Sequence, residues 1–317
     1  MLSYIVRRLL GMVPVVILTS VIVFSLMRLL PGDPIMLLVG QSQAEVSDAT
    51  IATLRHEYRL DQPLVVQYFA WAGHALSGDF GRSLQNHQPV WQVMRPRILP
   101  TFQIGLLAWI LAILVAVPLG AITAREPGSV KDWLGTIASL AGAAMPYFLV
   151  GGVLIYFVAL RWGWLPPSGY VPITQDVWGS IRSSILPAVT LSLSLAAVIT
   201  RQARSSFSDV LQVQYIRSAR AKGLSEMRVM TDHAFRNAML PVVTVLGVQL
   251  GTMFSGAVVT ETIFAIPGIG RLLVDSILGR DYAVVQAVVL FITVIVVLAN
   301  LLVDVAYGLL DPRIRQA

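Results

Sequence analysis

The residues best suited to chemistry in this chain are cations grouped in one loop. Tyr215-Ile216-Arg217-Ser218-Ala219-Arg220-Ala221-Lys222-Gly223-Leu224 is a basic, glycine-punctuated segment, followed by Arg236-Asn237-Ala238-Met239-Leu240-Pro241. From Arg201 to Arg236 there are seven Arg/Lys against three Asp/Glu. Apolar runs of membrane-spanning length flank the loop, so its positive charge assigns it to the cytoplasm. A structured cationic loop in that place has the character of a docking site for a soluble partner. Gly223 stands between two helix-compatible stretches, Tyr215–Lys222 and the one that begins at Ser225. Glycine there permits a positive φ or the close approach of another backbone. An ordinary helix stop would use the same residue.

Signatures of catalysis are missing. The two lysines, Lys131 and Lys222, are followed by Asp132 and Gly223, so no Gly-Lys-Ser/Thr phosphate loop exists. His56-Glu57 begins like a zinc-protease motif, but Leu60 stands where the second His is needed. His74, His87 and His233 are scattered outside the apolar runs. There is no Gly-x-Ser-x-Gly elbow. The absence of cysteine removes disulfides, thiolate metal sites and Cys nucleophiles. Neither a catalytic residue nor a metal ligand is expected.

The elements that position the basic loop follow from composition. The chain has 317 residues, 56% hydrophobic and 13% charged, with mean hydropathy +0.73 and a pI near 9.9. A soluble domain carries about twice that charge. The arginines sit at the ends of apolar runs rather than along one face, so topology, not nucleic-acid binding, accounts for the basic pI. Six runs stand out: Leu9–Leu30, Thr101–Thr123, Trp133–Leu160, Ile185–Thr200, Leu240–Phe264 and Tyr282–Leu310. A helix crosses the hydrocarbon in roughly 20 residues. The runs are continuous rather than alternating, and backbone groups in lipid must pair within the segment, so all six are expected to be helices. The fold class is therefore an all-α polytopic membrane protein with six spans. The fourth run is short and needs flanking residues to cross.

Arg7 and Arg8 place the N-terminus in the cytoplasm ahead of an uncleaved first span, and six crossings return Arg313 and Arg315 to the same side. The 124–132 loop is charge-balanced and uninformative. The intervening outer loop, 31–100, carries two amphipathic stretches. Ser47–Tyr58 has Ile51, Leu54 and Tyr58 at helical spacing. Leu64–Leu76 has Val65, Phe69, Ala72 and Leu76 on one side. Gly78-Asp79-Phe80-Gly81 reads as a turn. Such a lobe caps the bundle in the interface or meets an external partner. Ala265–Arg271, with one Pro and two Gly, is a re-entrant segment or a turn.

Polar groups inside the runs are the other functional candidates, because an ionised group at mid-bilayer costs at least ~2.5–3.5 kcal/mol. Gln249 and Asn300 are candidates for a translocation path. Ordinary interhelical hydrogen bonding, ~0.6 kcal/mol on average, is the competing role. Glu261 lies near the outer end of its run. Gly247, Gly251 and Gly256 suggest close helix packing, and part of a face that meets a partner. The scarcity of intramembrane charge and the lack of a visible inverted repeat disfavour an ion-coupled carrier.

Together these stretches resemble a family. Ala219-Arg220-Ala221-Lys222-Gly223 with Arg236–Pro241 resembles the EAA loop of ABC-importer permeases, in the form found in the dipeptide/oligopeptide/nickel branch. Pro31-Gly32-Asp33-Pro34, Leu60-Asp61-Gln62-Pro63, Gly78-Asp79-Phe80-Gly81-Arg82-Ser83-Leu84, Ile266-Pro267-Gly268-Ile269-Gly270-Arg271, Arg280-Asp281-Tyr282 and Leu310-Asp311-Pro312-Arg313-Ile314-Arg315 are similar to the same branch. The likeness spans the whole chain and is specific as a set. The first of two permease subunits is the form it matches. Arg217-Ser218-Ala219 replaces the generic Glu-Ala-Ala, so the generic carboxylate contact does not carry over.

The resemblance implies a permease subunit that forms half of a translocation path in the bacterial inner membrane. Its implied partners are a homologous second permease, two cytoplasmic ATPase subunits that hold ATP and magnesium, an extracytoplasmic solute-binding protein and membrane lipid. This chain itself would bind no cofactor. Arg217, Ser218, Ala219, Arg220, Ala221, Lys222, Gly223 and Leu224 would form the ATPase-coupling loop. The expected organisation is an N-terminal span (1–30), an outer cap region (31–100) and a five-helix core (101–317) with the coupling loop at 201–240. Short peptides are the expected solutes, with nickel, opine or glutathione as alternatives. A self-contained channel or carrier, or an intramembrane enzyme, would be a reading from another class.

Overall fold

The computed structural model describes residues 2–29, Thr53, His56 and residues 61–310. The Pro31–Pro34 stretch, most of the helix expected over Ser47–Tyr58, and the tail motif after Leu310 lie outside the described residues. Ten helices account for nearly all the regular structure described, with one isolated antiparallel bridge between Arg82 and Pro89. They are α1 (Leu2–Leu29), α2 (Leu64–Leu76), α3 (Val90–Arg125), α4 (Val130–Ala144), α5 (Tyr147–Arg161), α6 (Val177–Leu211), α7 (Gln214–Ala221), α8 (Glu226–Ile263), α9 (Ile269–Leu278) and α10 (Tyr282–Leu310). Helices α1, α3, α6, α8 and α10 are long and apolar enough to cross a membrane.

The sixth crossing is not a single rod. The run Trp133–Leu160 is split into α4 and α5, bent by 103°. Met145 is extended, with φ −74° and ψ 123°, and Pro146 follows. Proline pushes the residue before it out of the helical region and supplies no N–H of its own. Apolarity predicts burial in lipid here but is blind to the bend. The last turns of α5, Ile155–Arg161, are wound wide, in π register.

Helix α6 is the central element and the most buried of the spans. It extends well beyond Ile185–Thr200 at both ends, because its first turns carry serines that lower the hydropathy. Those serines are satisfied locally. Gln103 Nε2 on α3 donates to Ser180 Oγ and Ser184 Oγ at 2.8 and 2.9 Å, and Ser183 Oγ donates to the Ser180 carbonyl. Helix α3 lies against α6 through Ala108, Ala112, Ala116 and Gly120, a small residue at every fourth position, all buried. A Cβ on Gly120 would stand 2.5 Å from Ala203 Cβ and 2.9 Å from the Arg204 amide nitrogen. In lipid there is no hydrophobic gain in pairing helices, so this close backbone contact, and the dispersion it brings, holds the pair. Helix α3 starts at Val90, inside the stretch read from sequence as outer loop.

Helix α2 has the predicted bounds, but it faces another way than its apolar stripe suggests. Tyr68 and Trp71 pack on Phe24 of α1, with ring centroids 5.6 and 5.7 Å apart, and the Tyr68 hydroxyl bonds Ser20 Oγ at 2.8 Å. Gln67 is buried, while Val65, Phe69 and Leu76 are exposed.

Candidate functional site

The basic loop folds as a short helix closed by a tight turn. Ile216 and Ala219 of α7 are buried, three residues apart on one face. They join Val229, Met230 and Ala234 from the π-wound start of α8 in the main core, with Leu224 packed against it. Arg217, Ser218, Arg220, Ala221 and Lys222 occupy the opposite, exposed face. Of the eight residues expected in the loop, Ala219 and Leu224 thus anchor it, and the others are presented outward. Gln212, Gln214, Arg217, Ser218 and Ala221 surround an open recess of about 440 Å³.

The turn itself is a Schellman cap. Gly223 has φ +77°. Its N–H donates to the Arg220 carbonyl at 2.9 Å, and the Leu224 N–H reaches back to the Ala219 carbonyl at 3.4 Å. Both otherwise orphaned carbonyls at the end of α7 are satisfied, and Leu224 beside Ala219 supplies the usual apolar contact. A Cβ at Gly223 would meet nothing within 4 Å, so positive φ, not crowding by its own chain, is what requires glycine. Arg220 clamps Glu226 across the turn with two bonds of 2.8 and 3.1 Å. Tyr215 Oη donates to the His233 carbonyl and accepts from Asn237 Nδ2. The outward cations are therefore mounted on a braced helix–turn–helix.

The 124–132 loop, which looked uninformative, contains a second braced element. Arg204, near the end of α6 that leads into α7, holds Asp132 of α4 with two bonds of 2.5 and 2.8 Å. Asp132 Oδ2 also accepts from the Gly128 amide, and Ser129 Oγ accepts from the Asp132 amide. The signal in the sequence was Ser129-x-x-Asp132, a helix-start pattern. Its partner Arg204 lies 72 residues away and had no local mark.

The in-span candidates are placed separately. Gln249 is buried on α8, where Thr252 Oγ1 donates to its backbone carbonyl at 3.0 Å and to its Oε1 at 3.3 Å. Asn300 is exposed on α10. No hydrogen bond joins them among the described residues. The three glycines of α8 seat neighbours from this chain itself. A Cβ on Gly247 would stand 2.2 Å from Val303 of α10, one on Gly251 3.4 Å from Val296, and one on Gly256 2.6 Å from Leu191 of α6. They are occupied internally and do not form a bare face awaiting a partner.

Two carboxylates organise the opposite end of the bundle. Asp281 opens α10 and accepts from Ser83 Oγ, from the Leu84 amide at 3.1 Å and from the Val284 amide. It thereby joins the Gly78–Leu84 and Arg280–Tyr282 motifs. Glu261, 1% exposed, accepts from Thr101 Oγ1 of α3 at 2.5 Å and from the Arg271 amide at 2.8 Å. Thr101 Oγ1 in turn accepts from the Ile269 amide at 2.8 Å. Glu261 thus caps α9 from a different helix, beside the helix start where a negative charge is favoured. A Cβ on Gly268 would lie 2.1 Å from the Glu261 carboxyl carbon. So Ala265–Arg271 is a capped turn, with Ala265 at φ +52° and Ile266 fully buried. Among the described residues, no group of three or more His, Cys, Asp or Glu comes together as a metal site would.

Comparison with known proteins agrees with this architecture. Residues 116–316 match the family described as binding-protein-dependent transport system inner membrane component, and residues 1–105 match its N-terminal companion. A probable peptide ABC transporter permease of Sinorhizobium fredii is 42% identical over 312 residues, 98% of this chain and 99% of that one. The dipeptide transport system permease of Escherichia coli K12 is 41% identical over 338 residues, 99% of each chain. The glutathione transport system permease of Salmonella typhimurium is 42% identical over 315 residues, again 99% of each. An inward-facing structure of the MetNI methionine ABC transporter shares the fold, with TM-score 0.58 at 14% identity over 69% of this chain and 97% of that one.

Proposed function

The chain belongs to the binding-protein-dependent transport system inner membrane component family, and from that premise we propose that it carries short peptides across the inner membrane in response to ATP hydrolysis on partner subunits. It is a transport subunit, the permease of an ABC importer, and not an enzyme. Relatives named for peptide and for dipeptide transport support the solute class. The relative named for glutathione, itself a tripeptide, supports a second, narrower reading.

The observation that carries the mechanism is the braced cationic turn of α7, Gly223 and α8. The exposed face of Arg217, Arg220 and Lys222 docks on an ATPase subunit, one for each of two permeases. ATP and magnesium sit on those subunits. When the ATPases close, they displace the turn as a unit, because its salt bridge and Schellman bonds resist local deformation. Helices α6 and α8 carry that displacement through the membrane as rigid bodies. An extracytoplasmic binding protein delivers the solute. Gln249 and Asn300 remain path candidates on this reading. The N-terminus, the 201–240 loop and the C-terminus face the cytoplasm.

Uptake of a labelled dipeptide by cells that hold the whole importer tests the solute, with glutathione as competitor. Peptide uptake that survives deletion of this chain would overturn the reading. Topology is tested by cysteine labelling, which is clean in a chain with no cysteine of its own. Ser225→Cys should resist an impermeant reagent applied to intact cells and react once the membrane is opened.

A further inference from the structure

The loop between α5 and α6 frames an open cavity of about 570 Å³. Its wall mixes Leu165, Pro166 and Val171 with Ser168 and Ser183, and Arg182 is its one charged residue. Arg182 Nη2 donates to the Trp164 carbonyl at 2.9 Å, which steadies the guanidinium. Its other N–H donors have no partner among the described residues. Asp176, six residues earlier, accepts the Trp178 amide on Oδ1, and its Oδ2 lies beside Gly179 at the cavity edge, so Arg182 must outweigh this one nearby carboxylate.

A second recess, about 300 Å³ and almost wholly apolar, runs along α5 between Phe148, Leu149, Gly152, Val153, Tyr156 and Phe157. Gly152 forms its open floor, where a Cβ would meet nothing within 4 Å. A chain of ring contacts runs from the second recess to Trp164, whose carbonyl holds Arg182. Tyr156 to Phe157 is 5.0 Å, Phe157 to Trp162 is 6.3 Å and Trp162 to Trp164 is 4.8 Å between centroids. Trp162, Trp164 and Trp178 are 52%, 65% and 68% exposed. Exposed tryptophans grouped at the end of spanning helices mark the headgroup level of a bilayer. An arginine at that level keeps its stem on apolar surface and its charge in the interface.

We propose that the two recesses are one phospholipid site, with the lipid phosphate on Arg182 and an acyl chain in the groove floored by Gly152. The cavity beside Arg182, the aromatic bridge and the apolar groove follow one another along α5 and the loop after it, as headgroup, glycerol and chain do in a lipid. Arg182 is the charged residue of the wall, so an anionic lipid binds more tightly than a zwitterionic one. The site is separate from the coupling turn and does not depend on the solute.

The test is native mass spectrometry of the purified, delipidated transporter complex, titrated with phosphatidylglycerol and with phosphatidylethanolamine. Wild type retains phosphatidylglycerol preferentially. Arg182→Gln weakens that binding by about tenfold or more, since it removes charge-assisted bonds to phosphate. Arg182→Lys retains most of the preference. Gly152→Phe, which fills open space and spares the cation, weakens binding of both lipids. Unchanged lipid binding in Arg182→Gln and Gly152→Phe would overturn the proposal. So would glycerol phosphate competing as well as intact lipid, which would mark a free-anion site. Crosslinking of Tyr156→Cys to another subunit, with no lipid retained, would show a protein helix in the groove and overturn it too.

Discussion

Replacing Gly223 separates the intrinsic cost of the turn from its contact with a partner. Its φ of +77° is one that side-chain-bearing residues adopt at ~1–2 kcal/mol. No atom of the chain lies within 4 Å of an added Cβ, so no clash adds to that figure. Gly223→Ala should therefore lower the thermal midpoint by only a few degrees. Gly78→Ala is the matched control: Gly78 has φ +83°, nothing within 4 Å, and a place at the opposite end of the bundle. Gly223→Asn relieves most of the strain, since Asn tolerates the left-handed region, but adds bulk. If the turn docks on an ATPase, bulk decides the outcome. Uptake should fall tenfold or more in Gly223→Leu and substantially in Gly223→Asn, while Gly78→Ala transports normally at a similar level of protein. The assay is uptake beside solute-stimulated ATP hydrolysis in the reconstituted complex. Equal behaviour of Gly223→Leu and Gly78→Ala, or normal values of both activities in Gly223→Leu, would refute the coupling role.

Three further outcomes follow from the packing. Asp132→Ala removes the partner of Arg204 and the bond to Gly128, and should destabilise the end of the bundle that carries the basic turn by about 1–2 kcal/mol, read as a lower melting midpoint of the purified chain. Gly120→Val forces a branched side chain toward the Arg204 amide and the Thr200 carbonyl, both 2.9 Å from its Cβ, and should cost about 3 kcal/mol or more, seen as loss of folded protein from the membrane. Glu261→Ala leaves the Arg271 amide and the Thr101 hydroxyl without their acceptor, about 1–3 kcal/mol each; Glu261→Gln, which keeps an acceptor, should be milder, and protease sensitivity of the Ala265–Arg271 turn distinguishes the two.

The spans and the basic loop were legible because their signals are local. A run such as Tyr282–Leu310 must form a helix in lipid whatever surrounds it. Gly223 between two helix-compatible stretches marks its own turn. The Ala108, Ala112, Ala116, Gly120 stripe is equally visible in the sequence, but four-residue spacing of small residues is common and does not identify the facing helix. The break in Trp133–Leu160 was carried by Met145-Pro146 alone, within an otherwise uniform apolar run.

Local apolarity and charge bias thus determined the helical class, the membrane setting and the place of the basic turn, and the quoted motifs as a set carried the resemblance to the family. They could do so because each depends on a residue and its near neighbours in the chain. Tertiary structure decided the rest. Asp132 meets Arg204 across 72 residues, Glu261 meets Thr101 across 160 and Asp281 meets Ser83 across 198. It also decided that α2 turns its aromatic edge inward and that the α8 glycines hold Val303, Val296 and Leu191. The physical reason is common to all of these. A side chain's partner is set by which helix faces which, and that depends on packing between elements distant in the sequence.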